Sequence, residues 1–189
     1  MITGTIYGLD LGTRMGCAYG APGATPRWCS VTLKKPSEHR AVAFANLLHF
    51  LVDRFERHTP ALVAKEKMLH TAALLKLSGG NDDNMRMHAG LHAVVEAVCG
   101  RYGVSWTDVA CSTARVHFIG KSRLGTREET KAAVVARCHL LGLTPAECND
   151  DNVADAVATH DWACATYGRR AASTKELFFW NEQQRAGAA

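Results

Sequence analysis

Gly8-Leu9-Asp10-Leu11-Gly12-Thr13-Arg14-Met15-Gly16 sets a carboxylate at the end of an apolar β run and follows it with turn-forming residues. Thr5 to Leu9 favour extended backbone, and Gly12-Thr13-Arg14 interrupts them. Met15 to Tyr19 and Trp28 to Leu33 are further β-rich runs, each bounded by Gly or Pro. Connections this short predict an antiparallel meander of three strands.

Beyond the meander the period changes. Phe44, Leu47, Leu48, Leu51, Val52 and Phe55 recur at i, i+3, i+4, i+7, i+8 and i+11, which predicts a helix closed by Pro60. Ala61-Leu62-Val63-Ala64 reads as a buried strand ending in Lys65-Glu66-Lys67. A second helix is expected over 84–102, with Met87, Leu91, Val94, Val95 and Val98 on one face and Gly103 as its stop. Val104-Ser105-Trp106 then begins a short strand. Thr126 and Glu129 have capping-box spacing and predict a third helix to about Leu141. A last helix is expected from about Asp151 to Tyr167, with Val153, Ala156, Val157, His160 and Cys164 on its apolar side. Helices separated by single strands need crossover connections, so two strands should be parallel and helices should cover both faces of the sheet. The fold class is α/β, with a mixed five-stranded sheet.

Composition bounds what such a chain does. Its 189 residues, 47% hydrophobic and 21% charged, exclude a disordered polymer. They predict one domain over 1–180, followed by a polar tail over 181–189. No stretch approaches the roughly 18 apolar residues of a membrane span. The opening MITGTIYGLDLG has no basic region followed by an apolar one, so no signal peptide is expected. Seven scattered cysteines without a C-x-x-C pair suit neither a zinc ribbon nor a disulfide scaffold. A cytoplasmic protein is expected. The net charge of +4 permits a polyanionic partner without demanding one.

Carboxylates fall where chemistry can use them. Asp10 and Glu66 end two strands, and Asp151 and Asp155 are four apart on one face of the last helix. Converging acids would repel each other unless divalent cations relieved them, and hard oxygen ligands suit Mg²⁺ or Mn²⁺. Each acid also has a plain structural role open to it. Asp10 is equally a turn former, Glu66 a solvated strand end, and Asp150 or Asp151 a helix N-cap. Asp155, flanked by Val153, Ala154, Ala156 and Val157, is harder to explain structurally.

With these residues in view, the chain resembles a RuvC-type Holliday junction resolvase of the ribonuclease H-like superfamily. Gly8 to Gly16 resembles the first-strand motif with its catalytic aspartate, and Val63-Ala64-Lys65-Glu66 the strand ending in the second acid. Residues 120–131 resemble the glycine-containing basic segment leading to a helical lysine, here Lys131. Residues 149–158 resemble the C-terminal helix motif. That motif has an acid three residues before its last aspartate; here Asn152 holds the place and Asp151 stands four before. The resemblance implies Asp10, Glu66, Asp151 and Asp155 as ligands of two Mg²⁺ ions, with Asn152 in reserve and Mn²⁺ able to substitute. It implies Lys131 on the scissile phosphate, and a homodimer that cuts branched DNA symmetrically, leaving 5′-phosphate and 3′-hydroxyl ends. No membrane and no nucleotide cofactor are implied.

Arg14, Lys65, Lys67, Arg115, Lys121, Arg123 and Arg127 are the expected DNA-phosphate contacts, and His117 lies within the same basic run. A solvated loop and helix face is their structural alternative. The turn-rich Lys76 to Asn84 could enter a junction or serve as an ordinary loop. Phe44, Phe50, Phe55 and Trp106 are expected in the core, while Phe178-Phe179-Trp180 could pack on the domain or on a second subunit. His88 and His92 have zinc-compatible spacing without a third ligand and are taken as structural or surface residues; His160 is expected in the core. Three other functions compete. One is an actin-like phosphotransferase, which would need a second domain. Another is a ribosomal-RNA-processing nuclease of the same fold, and the last a junction-binding protein without chemistry.

Overall fold

A computed structural model describes residues 1–68 and 82–168. Its elements are β1 (Ile6–Asp10), β2 (Arg14–Gly20), β3 (Arg27–Thr32), α1 (Arg40–Arg57), β4 (Leu62–Glu66), α2 (Asp82–Tyr102), β5 (Ser105–Val109), α3 (Cys111–Ile119), α4 (Arg127–Leu140) and α5 (Asp151–Tyr167). The sheet order is β3-β2-β1-β4-β5. The first three strands are antiparallel, and β4 and β5 run parallel to β1. The expected mixed α/β sheet is present.

Alternation along the strands sorts side chains between two helical layers. Tyr7, Leu9, Met15, Cys17 and Val63 face α1 and α2 and form one core with Leu47, Leu51, Phe55, Leu91 and Val95. Ala18 belongs to the opposite core, with Phe118 of α3, Val134 of α4 and Val153, Ala156 and Val157 of α5. Ile6, Leu62 and Ala64 meet Ala163 of α5 on that second face.

Two glycines fix how closely α5 can lie on the sheet. A Cβ on Gly8 would stand 2.5 Å from the Ala156 carbonyl oxygen and 2.5 Å from the His160 backbone nitrogen. A Cβ on Gly16 would overlap the Asn152 carbonyl group. The helix therefore rests on the bare backbone of β1 and β2, and anything larger than glycine would lift it.

Capping follows the spacing. Thr126 and Glu129 form the full capping box of α4. The Asp150 carboxylate accepts from the Asn152 and Val153 backbone N–H groups at the start of α5, at 3.1 and 3.4 Å. Asp150 is thus the cap, and Asp151 is left for another partner.

Some expectations require correction. Residues 111–119 form a helix where no element was expected. Trp106 is 44% exposed, because β5 is the edge strand, whereas Phe55 is buried and Phe44 and Phe50 pack against the first core. Residues 76–81 of the turn-rich stretch, Phe178-Phe179-Trp180 and the tail lie outside the described residues. Among the described residues, no helix is long and apolar enough to cross a membrane.

Candidate active site

The pairing of β1 with β4 matches Leu9 to Lys65, so the next residues, Asp10 and Glu66, end neighbouring parallel strands. Each follows a run of residues on the α5 face: Ile6 and Gly8 precede Asp10, and Leu62 and Ala64 precede Glu66. The Asp10 carboxyl is pushed well above its ordinary range, first by burial and then by the charges of Glu66 and Asp155. A side-chain hydrogen bond with Glu66 raises it further, and the Lys131 ammonium opposes the shift. Three acids from β1, β4 and α5 therefore lie within one another's field.

Each acid of α5 or its cap carries a basic partner. Arg115 of α3 donates to Asp155 with both ends of its fork, Nε to Oδ1 at 3.3 Å and Nη2 to Oδ2 at 2.8 Å. Lys131 of α4 bonds to Asp151. Arg14 donates to Ser30 at 2.9 Å and to Asp150 at 2.7 Å. Although burial opposes it, the Ser30 hydrogen bond, the Arg14 charge and two backbone N–H groups hold the Asp150 carboxyl below its ordinary range. Asn152, the reserve ligand, turns its amide toward Asp150 at 3.4 Å.

Cys111, the first residue of α3, stands among the same acids and was absent from the expected site. Its thiol is pushed up to about 12, by burial first, then by Glu66 and Asp155, with Asp10 a smaller contributor. No ligand spacing marks it in the sequence. Its position becomes visible only when α3 is recognised as a helix that starts directly after β5.

Lys65 is a second correction. It was expected on a DNA phosphate, yet its side chain is 1% exposed. Alternation sends it to the α1–α2 face, opposite Glu66, where its ammonium bonds to Asp108, to Glu96 at 3.1 Å and to His92 Nδ1 at 2.9 Å. Burial first and Lys65 second lower the His92 pKa to about 4, so the ring stays neutral and accepts. His92 is thus a buried structural partner, and His160 is also buried, against the Gly20 carbonyl oxygen at 3.3 Å.

The other basic candidates face solvent. Lys67, Lys121, Arg123 and Arg127 are exposed, and Arg123 donates to the Gly125 carbonyl at 2.8 Å. His117 pairs with Asp161 at 2.9 Å. Arg127 and Lys131 lie four apart on α4, so they share a face beside Asp151.

Among the described residues, no three His, Cys, Asp or Glu side chains stand as a ready-made metal cage. The donor set nonetheless suits a hard divalent cation. It offers oxygen ligands, and the crowding that raises Asp10 is a surplus of negative potential that such an ion would relieve.

Comparison of whole structures places the architecture. Thermus thermophilus RuvC superposes with a TM-score of 0.60 at 18% identity, over 85% of this chain and 93% of that one. The fold is that of RuvC. The T. thermophilus RuvC complex with Holliday junction substrate gives a TM-score of 0.61 at 17% identity, again over 85% of this chain and 93% of RuvC. The yeast mitochondrial Holliday junction resolvase Ydc2 gives 0.55 at 10% identity, over 84% of this chain and 77% of that one. No protein-family model and no curated protein sequence matches the chain. The ribonuclease H-like architecture of RuvC is thus shared at a level of identity that carries fold alone.

Proposed function

We propose that this chain is a divalent-cation-dependent endonuclease that resolves four-way DNA junctions by hydrolysing one phosphodiester in each of two strands. The observation that carries the proposal is the Asp10–Glu66 pair, two carboxyls hydrogen-bonded at adjacent strand ends within the field of Asp155. An arrangement that costs the fold mutual repulsion is expected where a cation is to be bound. The likeness to two junction resolvases, one of them described with its Holliday junction substrate, supports the choice of DNA substrate.

Asp10 and Glu66 would hold the cations from the sheet, and Asp155 and Asp151 from α5, which Gly8 and Gly16 let lie close. Two Mg²⁺ ions, or Mn²⁺ in their place, would supply there a water of lowered pKa and a counter-charge for the phosphodiester. The bond of Lys131 to Asp151 and its effect on Asp10 support a point-charge role for it at the scissile phosphate. Exposed Arg127, Lys121, Arg123 and Lys67 bind backbone phosphates without reading sequence. Products carry 5′-phosphate and 3′-hydroxyl ends. Paired cuts require two centres, so the active form is a homodimer.

A labelled four-way junction, a duplex and a structured RNA, each incubated with Mg²⁺, test the proposal. The junction is expected to be cut preferentially, and Asp10→Asn to abolish cutting while leaving junction binding intact. Cutting of RNA alone would instead identify an RNA-processing nuclease, and ATP turnover without cutting a phosphotransferase.

A further inference from the structure

Two side-chain cations already touch the candidate centre, Lys131 at Asp151 and Arg115 at Asp155. Arg115 lays both ends of its guanidinium fork on Asp155, and the two side chains are only 18% and 14% exposed. Burial works against the guanidinium's charge, yet Asp155, then Cys111 and Glu66, hold it protonated. Arg115 therefore lies in the field of acids from both the sheet and α5. Its backbone is anchored, because the neighbouring Ala114 and, one turn on, Phe118 are buried. A phosphate contact made with this side chain would first have to break the pair.

We propose that Arg115 is a built-in counter-ion that a divalent cation must displace from Asp155, and that the freed guanidinium then takes a phosphate of the bound strand. The inference rests on the metal-dependent reading above. A bidentate guanidinium engages both carboxylate oxygens, and an incoming divalent cation meets a like charge at contact distance. Displacement costs the pair, so the free protein holds its cation weakly. A bound phosphate gives the guanidinium fork a second acceptor that can also engage it through two oxygens. Cation and DNA then strengthen each other's binding, by linkage, to the same degree. Arg115 is a positioning residue in this scheme until DNA arrives.

Mn²⁺ binding without DNA, followed by the loss of the free-ion electron paramagnetic resonance signal, separates this inference from the nuclease reading. Arg115→Gln is expected to bind Mn²⁺ roughly tenfold more tightly than the unaltered chain, within the usual range of coupling between sites. Its junction affinity in EDTA should stay within about twofold of the parent, because Asp155 already engages the guanidinium there. Equal or weaker Mn²⁺ binding by Arg115→Gln, with parental binding still lost in Asp10→Asn, would overturn this inference alone. A large loss of junction affinity in EDTA would also overturn it, since Arg115 would then reach phosphate without being released. Absence of Mn²⁺ binding in every form would sink the metal-dependent reading as well. Should Arg115→Gln fail to melt cooperatively, Arg115→Lys carries the test: it keeps the charge, loses the fork, and should bind Mn²⁺ with intermediate affinity.

Discussion

Lys65 and Glu66 are consecutive in β4 and point to opposite faces of the sheet. On the α1–α2 face the Lys65 ammonium is buried, and its three donors meet Asp108, Glu96 and the neutral His92 ring. On the α5 face Glu66 meets another carboxyl, that of Asp10, with Asp155 close enough to worsen the crowding. The first arrangement ties β4, β5 and α2 together and leaves nothing unsatisfied. The second works against folding. Local cost without structural return is expected where a protein keeps its chemistry, and here it falls on one side of a single strand.

The contrast can be broken from either side. The largest effect is expected from Lys65→Ala, which removes the ammonium and leaves His92, Glu96 and Asp108 facing a void. Breaking a buried charge pair costs about 3–5 kcal/mol, and the partial exposure of both carboxylates favours the lower end. Urea unfolding measures it. Gly16→Ala probes the other face. Its added methyl would overlap the Asn152 carbonyl, costing about 1–3 kcal/mol as α5 is lifted. Junction cleavage should fall by more than stability predicts, since Asp155 moves with the helix; melting and cleavage measured together separate the two.

The smallest effects are in pH dependence and have opposite signs on the two faces. Folding raises the Asp10 pKa, so above about pH 4 the native chain binds more protons than the unfolded one, and Asp10 costs stability as pH rises. Asp10→Asn in EDTA should therefore raise Tm at pH 7 by a few degrees and bring no gain below about pH 4. Folding lowers the His92 pKa from 6.5 to about 4, so stability is present above pH 6.5 and is lost as pH falls through that window. His92→Gln should flatten the window. A Tm series over pH for both variants checks the pair of signs.

Alternation and helical period carried most of the architecture. Apolar runs ending in an acid placed Asp10 and Glu66 at strand ends, and the 3.6-residue repeat marked α1, α2 and α5. The same alternation, applied to Lys65, would have sent it away from Glu66; a lysine beside an acid was instead read as a phosphate contact. Helix α3 escaped because it buries only Ala114 and Phe118 among its nine residues and follows Ala110, an N-cap whose side chain makes no hydrogen bond. Without α3, the approach of Cys111 and Arg115 to the acids could not be seen. Trp106 was misplaced because a large apolar residue does not reveal whether its strand is central or at an edge.

The seat of α5 on Gly8 and Gly16 has an evolutionary consequence. Where main chain touches main chain, the gap between helix and sheet is set by atoms that every residue possesses. Substitutions throughout the two cores can accumulate without altering it, provided those two positions stay bare. Such a joint lets a lineage rewrite nearly all of its side chains while the spacing between a strand-borne and a helix-borne carboxylate is inherited unchanged.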